Sequence, residues 1–272
     1  MDFLFAKRIW FGLALIALSG LGACASKDPS DLAFEEVPAE KLYAEGLLAM
    51  ENGDRKEAKK KFDELDRQHP YSNYARRSMI LNAYSQYKSG QYTECISSAK
   101  RFITLFPGDE DVPYAYYLIG QSYFNQIPDV TRDQDTTKKA LQAMNELIQN
   151  YPDSEYTSDA RRKVRVTMDQ LAGKEMQVGR YYLERKEYIA AINRFKVVVT
   201  DYQTTRQVEE ALMRLAEAYL ALGITHEAQT AVAVLGHNYP DSKWYKMSYN
   251  MLNKDGYEPE INKGSWMAKI LG

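Results

Sequence analysis

Groups able to do chemistry are few in this chain. It has three histidines, two cysteines and 37 acidic residues against 35 lysines and arginines. His69, His226 and His237 are scattered, and none has a partner at metal-ligand spacing. No glycine-rich phosphate loop follows a strand pattern, and no serine or cysteine stands in a nucleophile motif. Asp63, Glu64 and Asp66 crowd together but interleave with Phe62 and Leu65, as on a solvated helix face. Lys59-Lys60-Lys61 is balanced by Glu57 and Asp63 and reads as surface as well. Nothing calls for a cofactor or a metal. The expectation is a protein that binds, not an enzyme.

One cysteine does point to chemistry performed on the chain. Lys7 and Arg8 precede an apolar run from Ile9 to Leu18, too short to span a bilayer and flanked like an export signal. The run ends in Leu21-Gly22-Ala23-Cys24. Leucine, two small residues and cysteine resemble a bacterial lipobox, where the thiol is diacylglycerated before the preceding bond is cut. Residues 1–23 are expected to be a lipoprotein signal peptide, and Cys24 the lipid attachment point. Ala25 stands where aspartate would suggest inner-membrane retention, so the resemblance implies the periplasmic face of an outer membrane. Several acyl chains on one cysteine anchor far more firmly than one. Residues 24–38, with Pro29 and Pro38, read as a lipidated tether. Cys95 is then left without a partner, and no intrachain disulfide is expected. Loss of Asp2, Lys7 and Arg8 takes the formal charge from −2 to −3, a balance that argues against a nucleic-acid binder.

The remainder repeats itself. A small residue lies twelve places before a position that is usually proline: Ala58/Pro70, Cys95/Pro107, Ala140/Pro152, Ala191/Gln203 and Ala228/Pro240. Gly53, Gly90 and Gly223 stand seventeen places before that position. First helices show Tyr116, Ile119, Gly120 and Tyr123, or Leu212, Leu215, Ala216 and Tyr219, spaced as one α-helical face. Second helices repeat that face with Phe62 and Leu65, Ala99 and Phe102, Met144 and Leu147, Phe195 and Val198, Val232 and Leu235. Proline then stops each pair. The pattern over about 39–240 resembles the tetratricopeptide repeat. It predicts an all-α superhelix of five helix pairs, with a short capping helix near 242–253 closing the body at 39–253. Three departures stand out: Ala99 for an aromatic, Gln203 for proline, and an insertion at 129–136. A helical pattern over about 154–185 is longer than one repeat requires, with Gly173 and Gly179 as weak points. The tail, 254–272, ends in Ser265-Trp266-Met267-Ala268-Lys269-Ile270-Leu271 and either docks elsewhere or folds back.

Three junctions share a signature: Tyr71-Ser72-Asn73-Tyr74, Tyr151-Pro152-Asp153-Ser154-Glu155-Tyr156 and Tyr239-Pro240-Asp241-Ser242-Lys243-Trp244. Helix capping accounts for their polar residues. With lipobox, repeats and junctions in this order, the chain resembles the BamD (ComL/YfiO) family over nearly its full length. That resemblance implies a non-enzymatic lipoprotein of the outer-membrane β-barrel assembly machine. It would dock on BamA beside other assembly-machine lipoproteins, and bind unfolded barrel precursors through their aromatic-ended C-terminal strands.

The face beside the packing stripe offers independent support for peptide binding. It carries Tyr43, Tyr84, Tyr87, Tyr114, Tyr117 and Phe124, all in the first three repeats. Tyrosine joins a large apolar face to a polar tip, which suits a grip on aromatic peptide segments. The C-terminal repeats offer Arg180, Arg185 and Arg194 for partner docking, as the resemblance implies. An envelope scaffold binding peptidoglycan or a division complex is the second reading, and a peptidoglycan hydrolase a distant third.

Overall fold

Each hairpin is built where a small residue lets two helices approach. The computed structural model describes residues 36–271, so the signal peptide, Cys24 and nearly all of the tether lie outside the described residues. Ten helices form five pairs: α1 (Ala39–Glu51) with α2 (Arg55–Gln68), α3 (Asn73–Lys88) with α4 (Tyr92–Leu105), α5 (Val112–Phe124) with α6 (Asp135–Asn150), α7 (Thr157–Glu184) with α8 (Tyr188–Asp201), and α9 (Val208–Ala221) with α10 (Thr225–Asn238). Two more follow, α11 (Lys243–Lys254) and α12 (Trp266–Leu271). The tetratricopeptide superhelix expected from the repeats is the fold, with α11 packed on α9 and α10.

The small positions Ala58, Cys95, Ala140, Ala191 and Ala228 are all 0 % exposed, so the spacing marks the hairpin seam. Glycines opposite them are equally constrained. A Cβ on Gly46 would lie 2.4 Å from Phe62, one on Gly120 2.8 Å from Met144, and one on Gly179 2.4 Å from Phe195. Gly179 is therefore a close-packing residue, and α7 runs through it and Gly173 unbroken for 28 residues, about 42 Å. Gly173 has no such reason: its nearest neighbour, Val130, would be 3.5 Å away.

The turns explain two of the departures. Gly53, Gly90 and Gly223 adopt φ of 77°, 74° and 72°, while repeat four places Lys186 there at φ 62°. Only glycine enters that region without steric cost. The chain leaves each second helix through a residue at φ near −130°: His69, Phe106, Tyr151, Tyr202 and Tyr239. Tyr202 does so before Gln203, so proline reinforces this exit without being required for it. The insertion folds onto α7, whose Gln170 and Lys174 donate to the carbonyls of Pro128 and Thr131, each at 2.9 Å.

The tail folds back on the last pair. Asn262 N–H donates to Thr230 Oγ1 at 3.1 Å, and Ser265 Oγ donates to Glu227 at 2.7 Å. Trp266 Nε1–H donates to the Tyr219 hydroxyl at 3.2 Å, with the Lys196 ammonium 4.7 Å from the indole centroid. Met267 is fully buried. Cys95 is a free, buried thiol, which burial pushes above its ordinary range.

Candidate functional site

First helices of successive repeats pack on one another from α1 to α7 and so line one face of the stack. Rings from the second and third repeats meet there and join a ring at the start of α7. Tyr84 lies 6.4 Å from Tyr114, Tyr114 lies 5.1 Å from Tyr156, and Tyr117 stacks on Tyr156 at 5.1 Å and 27°. All four are partly exposed. A ladder of half-buried rings results, which offers apolar area along that face.

The polar ends are wired together. Tyr117 donates to Asp159 Oδ2 at 2.7 Å, and Lys163 pairs with the same carboxylate. The Lys163 ammonium stands 5.3 Å from the Tyr117 centroid and 5.7 Å from that of Phe124, within cation–π range of both. Burial alone would raise the Asp159 carboxyl; bonds from Lys163, Tyr117 and Arg162 outweigh it and hold the group below its usual value. Burial pushes the Tyr114 hydroxyl well up, and it does the same to Tyr117, aided by its bond to Asp159. Tyr87 joins the ladder indirectly, accepting from Gln121 and Asn125, each at 3.0 Å.

Five of the six groove residues read from the sequence thus share one connected surface. Tyr43 stands in a separate cluster, 5.3 Å from Tyr74 and 6.4 Å from Phe62. Four contributors escaped the reading by sequence: Tyr74, Tyr156, Asp159 and Lys163. The first two end the junction signatures, and Trp244 ends the third, with the Arg214 guanidinium 5.8 Å from its ring. The capping reading holds at two of the three junctions, where Ser72 accepts from Ala75 N–H at 3.0 Å and Ser242 from Trp244 N–H at 3.1 Å; at the middle one the helix begins after Tyr156 with no side-chain cap. Capping says nothing of the aromatic that follows. Its recurrence at the head of three helices was the available signal.

The arginines of the C-terminal repeats belong to three separate ion pairs. Arg180 binds Glu210 at 3.0 Å, Arg185 binds Glu187 at 3.0 Å, and Arg194 binds Glu175 at 3.1 Å. Arg185 also covers the exposed Tyr181, 5.4 Å from its centroid. No cluster of three or more metal-ligating side chains occurs among the described residues. No described helix is long and apolar enough to cross a membrane.

Comparison with known proteins matches this architecture to one family. Curated relatives include the outer membrane protein assembly factor BamD of Caulobacter vibrioides, 45 % identical over 91 % of this chain and 81 % of its own length. The BamD proteins of Rickettsia prowazekii and Neisseria meningitidis serogroup A are 40 % and 34 % identical, covering 85 % and 87 % of this chain and 92 % of each relative. Assembly-factor relatives and a hairpin scaffold mark a non-enzymatic protein associated with the outer membrane. Residues 35–235 match the family described as YfiO, outer membrane lipoprotein, and the chain belongs to that family.

Proposed function

We propose that this chain is a lipid-anchored subunit of the outer-membrane β-barrel assembly machine. In this reading Cys24 carries the lipid, and the helical body works at the periplasmic face of the outer membrane. The groove of the first three repeats takes the aromatic-ended C-terminal strand of an unfolded barrel precursor. The observation that carries this is the ring ladder Tyr84–Tyr114–Tyr156–Tyr117, partly exposed and bordered by the Lys163 ammonium. Rings stacked on one another present fixed apolar slots, so an incoming aromatic loses less freedom than it would on a mobile surface. The C-terminal repeats hold BamA, with Arg180, Arg185 and Arg194 available at 38 %, 58 % and 45 % side-chain exposure. Other lipoproteins of the machine join the same complex.

Photo-crosslinkers at Tyr43, Tyr87 and Tyr117 test the groove. Each is expected to capture a peptide copied from a barrel precursor's last strand. Capture from repeats four and five alone would overturn the assignment. Affinity isolation of the lipidated chain under mild detergent tests the partner. BamA in the bound fraction supports the reading, whereas sedimentation with peptidoglycan and no BamA supports the envelope-scaffold alternative.

A further inference from the structure

The face of α7 that joins the ring ladder continues past it. Beyond Asp159 and Lys163 the same face carries Val166, Gln170, Gly173 and Gln177 at helical spacing. All four line an open recess of about 620 Å³, together with Val130 of the insertion and with Arg206 and Gln207 ahead of α9. Gly173 stands out there. It weakens the helix interior without serving a close packing, because a Cβ on it would find only Val130, at 3.5 Å. What its bare backbone provides is room for another main chain to come closer than a side chain would allow.

The polar groups around Gly173 suit a main chain too. The carboxamides of Gln177 and Gln207 are partly exposed and make no hydrogen bond to another described residue. Gln170 Nε2, by contrast, is committed to the Pro128 carbonyl at 2.9 Å. A carboxamide holds the same kinds of donor and acceptor as a peptide group, so two of them can bond to a passing strand whatever its sequence. The charges in the lining are already matched: Arg206 pairs with Asp169 at 2.8 Å, and Arg180 with Glu210 at 3.0 Å. A neutral main chain leaves both pairs undisturbed. Val130 and the 57 % exposed Val166 add apolar contact for its side chains. From Lys163 to Gln177 the helix rises about 21 Å, the length of about six extended residues.

We propose that this recess is a main-chain subsite of the precursor groove. The residues preceding the aromatic end of the strand lie along α7, pass over Gly173 and bond to Gln177 and Gln207. Resting on the ladder's reading as the strand-binding groove, this subsite makes affinity grow with strand length and not with the identity of the upstream side chains.

Fluorescence anisotropy on the full chain in detergent tests this with two labelled peptides. One copies the whole last strand of a barrel precursor, and the other is cut to its aromatic end. The longer is expected to bind about tenfold more tightly, roughly the effect of two neutral hydrogen bonds. Gly173→Leu is expected to abolish that gain, and Gln177→Leu to reduce it about threefold. Gly173→Ala is expected to cut the gain while leaving the fold at least as stable in urea, which separates lost binding from lost folding. Methylating the upstream main-chain nitrogens of the longer peptide should act like Gly173→Leu. Exchanging its upstream side chains for others of similar polarity should change little. Binding of the short peptide should be unmoved by the three α7 variants and weakened by Tyr117→Ala. Equal affinity of the two peptides overturns the subsite and leaves the ladder reading standing, as does an undiminished gain in Gly173→Leu. If neither peptide binds, the ladder reading falls and the subsite falls with it.

Discussion

In repeats one to three, first helices meet through rings: Tyr43 on Tyr74, Tyr84 on Tyr114, Tyr114 and Tyr117 on Tyr156. In repeats four and five, α7 meets α9 through the ion pair of Arg180 with Glu210, and Arg206, in the turn before α9, pairs with Asp169 of α7. Behind those pairs lies an aliphatic core in which Leu212, Leu215, Val232 and Leu235 are fully buried, and the folded-back tail seals its far side. One repeat pattern thus yields a half whose aromatic ladder stays partly open and a half whose aliphatic core is closed over by the tail. The difference teaches that the hairpin spacing sets the scaffold, while the residues beside the packing stripe decide what the scaffold presents.

The largest effect should come from uncovering the closed half. Truncation after Lys263 removes Trp266 and the buried Met267, whose burial is worth about 3–5 kcal/mol together. Hydrogen exchange should then accelerate in α9 and α10 and stay unchanged in α1 to α4. Uniform acceleration would erase the contrast between halves. Next comes a pair of glycines on one helix. Gly179→Ala forces a Cβ into Phe195 and should cost about 1–3 kcal/mol. Gly173→Ala meets only ordinary contact and should gain up to about 1 kcal/mol from helix propensity. Equal responses in urea unfolding would refute the packing role of Gly179.

A third test uses acid to separate the halves. Asp159 has a folded pKa below its unfolded value of about 3.9, so its contribution is present above that pH and is lost as pH falls through the lower folded value. Asp159→Asn should flatten the acid limb of the stability profile, and tyrosine fluorescence should report the change at Tyr117. An unaltered acid limb would mean that the carboxylate does not brace the ladder. The smallest effect belongs to the turn of repeat four. Lys186→Gly relieves a left-handed lysine and should stabilise by up to about 1 kcal/mol, an advantage the same exchange cannot offer at the glycine turns.

Much of this fold can be read from small residues alone. Ala58, Cys95, Ala140, Ala191 and Ala228 locate the seams because a helix pair tolerates nothing larger there, a local and periodic constraint. Tyr84, Tyr87, Tyr114, Tyr117 and Phe124 could be placed on one surface by the same counting. Tyr156, Asp159 and Lys163 could not, since they reach the ladder from the next repeat, and that crossing depends on how successive hairpins lean on one another. The tail's course was equally hidden. Its anchors, Thr230, Glu227 and Tyr219, lie some thirty to fifty residues back and carry no periodic mark.

The long seventh helix has a mechanical consequence. Asp159 and Lys163 brace the rings near its first turns, while Arg180 faces the closing repeats near its last. Seventeen residues of continuous α-helix separate Lys163 from Arg180, a span of about 25 Å. A cargo gripped at one end and a subunit seated at the other would be mounted on a common girder. Tilting either mount swings its counterpart, and the gap between them stays constant throughout.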